Sequence, residues 1–424
     1  MNGRLIKNFK EIATTLNREI ALSIIEAGMK AINTENIINN AISVVGNILF
    51  VQGKSFNLTK FNKIKIIGFG KSSCEAAIEL EKILGERIKE GVVVDLKKAD
   101  LKYIKTFTGT HPKPGEVNLE ASKKIYEILN NSNEKDLIIT IVSGGGSALL
   151  CYPDSECSQS QSLYDSFLSS GKTIKEINTV RKHFSLLKGG GLAKIAYPAT
   201  VIGLIFSDIP GDIFEDVASG PTYKDDTTIT DAKKIIEENN LGDFELTETP
   251  KEDKYFDNVY NFVLVSDKTA LDAMTKKAKE FKLEVNVIST SLYDETDKAL
   301  EKIFSVKKEN TVVLAAGEPS IIVKNKSGKG GRNLHMGLCA IKNNLIDDDS
   351  VFISFASDGI DNSDIAGAVV DKNTIDKINK LDLDVSDYLN RFDSYTIFQK
   401  SGDVIITGST GENVSDLMIL LTKK

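Results

Sequence analysis

Several short stretches of this chain set glycines beside hydroxyl, basic or acidic side chains, directly after apolar runs. In Val142-Ser-Gly-Gly-Gly-Ser147 three successive glycines, Gly144, Gly145 and Gly146, let backbone N–H groups converge on an anion with no β-carbon in the way. Ser143 and Ser147 add hydroxyl donors, whereas a plain strand-to-helix turn would need fewer glycines. Gly68-Phe-Gly-Lys-Ser-Ser73 puts Lys71 between a strand end and a helix start, where the helix dipole disfavours a cation unless an anion lies between them. It is not a Walker A loop, because residue 65 is lysine, nor a G-x-G-x-x-G loop, because residue 73 is serine. A solvated surface lysine is the plainer alternative. Asp208, in Ser207-Asp-Ile-Pro-Gly-Asp212, could hold Mg2+ or accept a hydroxyl proton, while Asp212 suits a turn.

The later half repeats the theme. Glu318 comes directly after an apolar run in Ala315-Ala-Gly-Glu-Pro319. Gly328-Lys-Gly-Gly-Arg-Asn333 presents Lys329 and Arg332 before a helix, and arginine offers a planar fork for carboxylate or phosphate. Ser357-Asp-Gly-Ile-Asp361 and Ser363-Asp364 cluster carboxylates, which suggests Mg2+ ligation through Asp358 or, more plainly, a helix cap at Asp364. Thr407-Gly-Ser-Thr-Gly-Glu-Asn413 has the makings of an anion nest that includes Asn413. The histidines His111, His183 and His335 form no metal pair by spacing and are expected to be structural.

Positioning these loops requires strands that end where the glycines begin. Runs such as Lys63–Ile67, Leu137–Val142, Ala199–Phe206, Thr311–Ala315 and Val351–Phe355 have strand length and alternate with helical periodicity at Leu5–Met29, Ser73–Leu84, Val117–Asn130 and Thr173–Leu187. Residues 41–50 are expected as a further helix. The alternation predicts an α/β protein of two domains with largely parallel sheets, whose strand ends bind ligands. The polar stretch Leu241–Asp257, with Pro250 and no periodicity, is where a boundary is expected, giving domains over 1–243 and 258–424.

Composition narrows the classes of function. At 424 residues the chain is too long for one ordinary core, and 41% hydrophobic with 27% charged residues is globular. A net charge of −7 argues against nucleic-acid binding yet leaves room for a local basic pocket. Four cysteines without zinc spacing suggest reduced thiols in a cytoplasmic protein, and no apolar run is long enough to cross a bilayer.

Taken in order, Gly68–Lys71, Thr110-His-Pro-Lys-Pro114, Val142–Leu149, Asn178-Thr-Val-Arg-Lys182, Ser207–Asp212, Ala218-Ser-Gly-Pro-Thr222, Gly328–Asn333, Ser357–Asp361 and Thr407–Val414 resemble the class II glycerate kinases, which end in a MOFRL-type domain. The resemblance spans nearly the whole chain. It implies ATP-dependent phosphorylation of D-glycerate at its 2-hydroxyl, with Mg2+, in a cleft between two α/β domains. The family's active-site positions fall on Lys71, Asp208, Glu318, Arg332, Asp358 and Asn413. By that resemblance Lys71, Asp208 and Arg332 would be catalytic, Glu318 and Asp358 would serve metal or substrate, and the Ser143–Ser147 loop, Lys329 and Asn413 would bind substrate or phosphate. The partners would be small molecules, with the protein acting alone or as a homodimer.

The sequence departs from the family pattern at Leu334-His335, where Gln-Glu is usual, at Ser409 and Glu412 in the last loop, and at Asp361-Asn-Ser-Asp364. These departures bear on which acid is phosphorylated. A kinase for another short hydroxy acid is the next alternative. A hydroxypyruvate reductase would need the dinucleotide loop that is absent, and a non-catalytic anion sensor would not need Lys71, Asp208 and Arg332 together.

Overall fold

Asp136–Ser143 is buried at every position, the pattern of a strand covered on both faces. In the computed structural model, which describes residues 4–170, 174–209, 213–323, 328–411 and 414–424 (side chains 167–170 and 174 excepted), this segment is a central strand of the first of two units. The strands in chain order are β1 (Ile42–Val45), β2 (Ile48–Val51), β3 (Lys54–Asn57), β4 (Lys63–Phe69), β5 (Ile88–Asp95), β6 (Lys105–Thr108), β7 (Asp136–Ser143), β8 (Thr200–Phe206) and β9 (Val259–Val265). β10 (Glu284–Leu292), β11 (Thr311–Gly317), β12 (Ser350–Ala356), β13 (Gly367–Val370), β14 (Val404–Ile405) and β15 (Asp416–Thr422) follow.

The unit formed by Thr34–Leu264 carries a six-stranded sheet ordered β6-β5-β4-β7-β8-β9, parallel from β6 through β8. Its register places the functional loops. Phe69 pairs with Val142, and Ser143 with Phe206, so the chain leaves β4, β7 and β8 at one level of the same edge. The core is built from Ile67, Phe69, Ile138, Val142 and Ile205 against Ala121, Ile125 and Leu192 on helices. A three-stranded antiparallel sheet, β1-β2-β3, occupies most of the stretch expected to be a helix over 41–50. The reason is local: the Ile-Ser-Val-Val and Ile-Leu-Phe-Val runs are rich in β-branched and aromatic residues, and Gly46, at φ +58°, turns between them.

The second unit contains Met1–Asn33 and Val265–Lys424. Its sheet, ordered β10-β11-β15-β12-β13-β14, is mixed rather than largely parallel. Only β10–β11 is parallel; β15 inserts antiparallel between β11 and β12, and β13 and β14 add antiparallel. Buried strands have the same apolar runs in either direction, so the run of residues does not disclose this. Asp416, at the start of β15, pairs with both Gly317 and Ala356, the ends of β11 and β12.

Packing also moves the expected boundary. Leu241, Phe244 and Leu246, inside the proposed linker, join Phe184 and Leu163 in a small apolar cluster, with the Phe184 and Phe244 rings stacked at 5.6 Å. Residues 1–33 group instead with the carboxy-terminal part, because helix Leu16–Ala31 packs on helix Asp267–Glu280. The expectation of reduced cysteines is corrected as well: Cys151 and Cys157 form a disulfide, while Cys74 and Cys339 are free.

What fastens helix Leu16–Ala31 is the fully buried Arg18. Its guanidinium donates to both oxygens of Asp371 at 2.7 and 2.6 Å, to Asp403 at 2.7 Å and to Thr374 at 2.8 Å. Burial alone would raise the Asp371 carboxyl, but Arg18 and Thr374 hold it below its ordinary range. Arg18→Met should therefore lower the unfolding free energy by about 3–5 kcal/mol, since it strands buried carboxylates. A depressed carboxylate contributes stability above its unfolded value and loses it as pH falls through its folded one. Urea unfolding of wild type should thus weaken in acid, and an Arg18→Met chain as stable as wild type at neutral pH would refute this role.

Candidate active site

In the first unit the site grows from two loops laced together. The Lys71 amide donates to Gly144 O at 2.8 Å, and Ser143 Oγ donates to Lys71 O at 2.6 Å. Ser143 is thereby a brace of the loop rather than a free donor. Gly70, at φ +115°, comes so close to Ser143 that a β-carbon would strike its backbone. Ser72 follows in a left-handed conformation, φ 63°, and starts helix Ser73–Leu84. The Lys71 side chain passes over the loop, its Cγ 3.6 Å from where a β-carbon on residue 145 would lie.

Asp208 meets the same loop. A β-carbon on residue 144 would overlap the Asp208 carboxylate, so glycine at 144 is what lets that carboxylate lie against the loop. Gly146 is packed just as closely on Ala218. Ser147 shares a 2.8 Å hydrogen bond with Ser219. Ala218, Ser219 and Gly220 are successive left-handed residues, with φ of 51°, 61° and 64°, a strained run of the kind that collects at functional sites.

His111, expected to be structural, instead stands beside Gly145. Burial, then Lys71, then Arg181 push its imidazole below the ordinary histidine value, so the ring is kept neutral. His183 does match expectation: it is buried, with Nδ1 at 2.9 Å from Thr179 O and Nε2 at 3.2 Å from Glu248. The signal for His111 lay in Thr110-His-Pro, a motif with no readable chemistry by itself.

In the second unit a cavity of about 650 Å³ is lined by Glu318, Gly331, Arg332, Asp358, Asp361 and Asp416, among others. Arg332 is clamped: Nε donates to Asp416 in a very short contact, and Nη2 lies 3.1 Å from Glu318. Burial pushes the Asp416 carboxyl up to about 7 against the pull of Arg332, with Asp361 adding to the rise. Asp361 caps helix Arg332–Lys342, accepting from the amides of Asn333 at 3.1 Å and Leu334 at 2.8 Å. Gly331 leaves the space this carboxylate fills.

The sequence-expected residues therefore divide. Glu318, Arg332 and Asp358 share this cavity, whereas Lys329 turns its ammonium to Asp364 at 3.2 Å and over the Tyr395 ring at 3.7 Å. Asn413 lies outside the described residues. Asp416 went unnoticed because it opens a strand, where loop motifs are not sought. Of the departures from the family pattern, Leu334 is buried in the core, and His335 stacks on Phe392 at 5.2 Å beside a second cavity.

A parallel α/β unit with a carboxylate against its glycine loop, together with a mixed-sheet unit carrying a clamped arginine fork, has the make-up of an enzyme acting on small anions. A family model described as a domain of unknown function, DUF4147, matches residues 20–248, and the MOFRL family model matches residues 311–416. The glycerate 2-kinase of Pyrococcus horikoshii is 35% identical, over 95% of this chain and 97% of its own. That of Picrophilus torridus is 33% identical over 98% and 99%. The crystal structure of a glycerate kinase from Thermotoga maritima superposes with a TM-score of 0.84 at 30% identity, covering 95% of this chain and 99% of that one. The chain belongs to the glycerate kinase family built from DUF4147 and MOFRL domains.

The clamp on Arg332 has a measurable consequence. As pH falls through about 7, Asp416 takes up a proton and releases Arg332 Nε. The Arg332 Nε–H resonance should titrate with that midpoint in wild type and stay flat in Asp416→Asn. A wild-type resonance that does not move between about pH 5 and 9 would contradict the clamp.

Proposed function

We propose that the protein transfers the γ-phosphoryl group of ATP to the 2-hydroxyl of D-glycerate, giving ADP and 2-phospho-D-glycerate. The observation that carries the reading is the Asp208 carboxylate lying on the Gly144 backbone, in the same loop cluster as Lys71. A secondary hydroxyl needs an acceptor for its proton as it attacks phosphorus, and the transferring group needs its spread negative charge met. Asp208 takes the hydroxyl proton while the new O–P bond forms and the bond to the ADP oxygen breaks. Lys71 offers a point charge to the phosphoryl oxygens.

In the second unit Arg332, held by Asp416 and Glu318, offers a preset fork for phosphoryl negative charge. Mg2+ fits the donor set at Asp358 and Glu318, since it takes hard carboxylate oxygens and usually shares one or two of them with nucleotide phosphates. No group of three or more His, Cys, Asp or Glu side chains among the described residues forms an all-protein metal cage. When bound, Mg2+ would neutralise the β- and γ-phosphates. No described helix is long and apolar enough to cross a membrane.

The test is ADP release from MgATP with a panel of hydroxy acids, the product passed to enolase without a mutase. D-Glycerate should release ADP and give the enolase signal, because only the 2-phosphate is that enzyme's substrate. Turnover of a different acid with D-glycerate silent would replace the substrate assignment. Lys71→Ala and Arg332→Ala should each lower kcat by on the order of 10²–10³; Lys71→Ala leaves the melting temperature near wild type, whereas Arg332→Ala lowers it by stranding the buried Asp416 carboxyl. Wild-type rates in either would remove that residue from the mechanism.

A further inference from the structure

Arg181 is a cation that forms no ion pair with a carboxylate among the described residues. It lies on helix Ile174–Phe184, where Nη1 donates to Asn178 Oδ1 at 2.9 Å, one turn back. Its Nε is buried and meets no acceptor among the described residues. The other arginines with buried side-chain nitrogens have carboxylate partners: Arg18 has Asp371 and Asp403, Arg332 has Asp416 and Glu318, and Arg391 has Asp387. The carboxylate nearest in charge to Arg181 is Glu156, which is already engaged by Lys188 and by the Leu186 amide at 3.1 Å. Burial pushes the Arg181 guanidinium down to about 10, as expected of an uncompensated charge.

Stranding an arginine without an anion costs stability, so an anion from outside is the natural completion. The surroundings favour that. Asn178 Oδ1 also accepts from Ser219 Oγ at 3.1 Å, and Ser219 pairs with Ser147 at the end of the glycine loop. This chain of contacts fixes Arg181 beside the glycine loop against which Asp208 and Lys71 lie. His111 lies close enough to feel both Lys71 and Arg181. The edge of Arg181 that carries the unmet Nε is the side that can receive a planar carboxylate through two parallel hydrogen bonds. Lys71, a compact point charge, suits a tetrahedral phosphoryl group better.

We infer that Arg181 anchors the carboxylate of a short 2-hydroxy acid, with the hydroxyls of Ser147 and Ser219 completing the subsite. This rests on the kinase reading for its substrate but not for the carboxylate contact itself. The anchor explains selection for an acid over a neutral polyol, because a bound neutral ligand would leave the buried guanidinium unpaired.

The experiment combines kinetics with calorimetric binding of D-glycerate, other 2-hydroxy acids and the neutral amide D-glyceramide, for wild type, Arg181→Lys and Arg181→Met. We expect KM and Kd for the acid to rise on the order of 50-fold in Arg181→Met, with KM for ATP unchanged. Preference for acid over amide should disappear. Arg181→Lys keeps the charge but not the fork, and should recover only part of the affinity. Melting temperatures identify a variant that fails to fold, and Asn178→Ala, which frees the guanidinium without removing it, should also weaken acid binding. Unchanged acid affinity in a folded Arg181→Met, or equal loss for ATP and acid, overturns the assignment. A wild-type protein that binds a hydroxy acid through Arg181 but phosphorylates none would retain this site and lose the kinase reading. Binding of no hydroxy acid at all overturns both.

Discussion

The burial of Arg18 constrains the second unit more than any other single contact. A guanidinium removed from water must recover several kcal/mol of lost hydration, and here it does so through carboxylates more than 350 residues away in sequence. Asp371 also caps the helix that begins at Lys372, and Asp403 takes a second cation, Lys377, at 2.8 Å. Helix Leu16–Ala31 is thereby held to strands and helices of the chain's last third. This is why the amino-terminal segment belongs to the MOFRL-bearing unit, and why a division of the chain at one linker does not describe it.

Around the candidate sites the recurrent device is a missing β-carbon that a carboxylate replaces. Asp208 fills the space beside Gly144, and Asp361 the space beside Gly331. The outcomes differ because the donors differ. Asp361 finds two backbone amides and the Asn333 side chain, so it is spent on orienting the helix that starts with Arg332. Asp208 lies on a loop whose adjoining strands end level, where a ligand can reach it. Similar glycine-and-aspartate sequence therefore yields a cap in one unit and a candidate proton acceptor in the other.

Much of this was legible in the residues. Apolar runs followed by glycine located the strand ends of the first unit, and with them Lys71, the Ser143–Ser147 loop and Asp208; the same reasoning found Glu318, Arg332 and Asp358. What stayed hidden depended on partners far along the chain. The direction of β15 is not written in Leu417–Leu421, and Asp416 becomes notable only when antiparallel pairing carries it to the ends of β11 and β12. His111 gains meaning only beside Gly145. Leu241–Leu246 looked like a linker because its apolar residues follow no period, yet they need only Phe184 to be buried.

Two arginines show opposite solutions to holding a charge near an anion site. Arg332 is paired beforehand by two carboxylates, so it is rigid and partly neutralised, and binds a resting anion less strongly. Such a group contributes best where negative charge builds up during reaction, since preorganisation is already in place when the charge appears. Among the described residues Arg181 has only a neutral amide partner, and its buried Nε meets no acceptor. It gains most from an anion present throughout, as a carboxylate that takes no part in bond breaking would be. On this argument the pairing state of each arginine, rather than its residue type, separates the fork proposed for the transferring group from the one proposed for the acceptor.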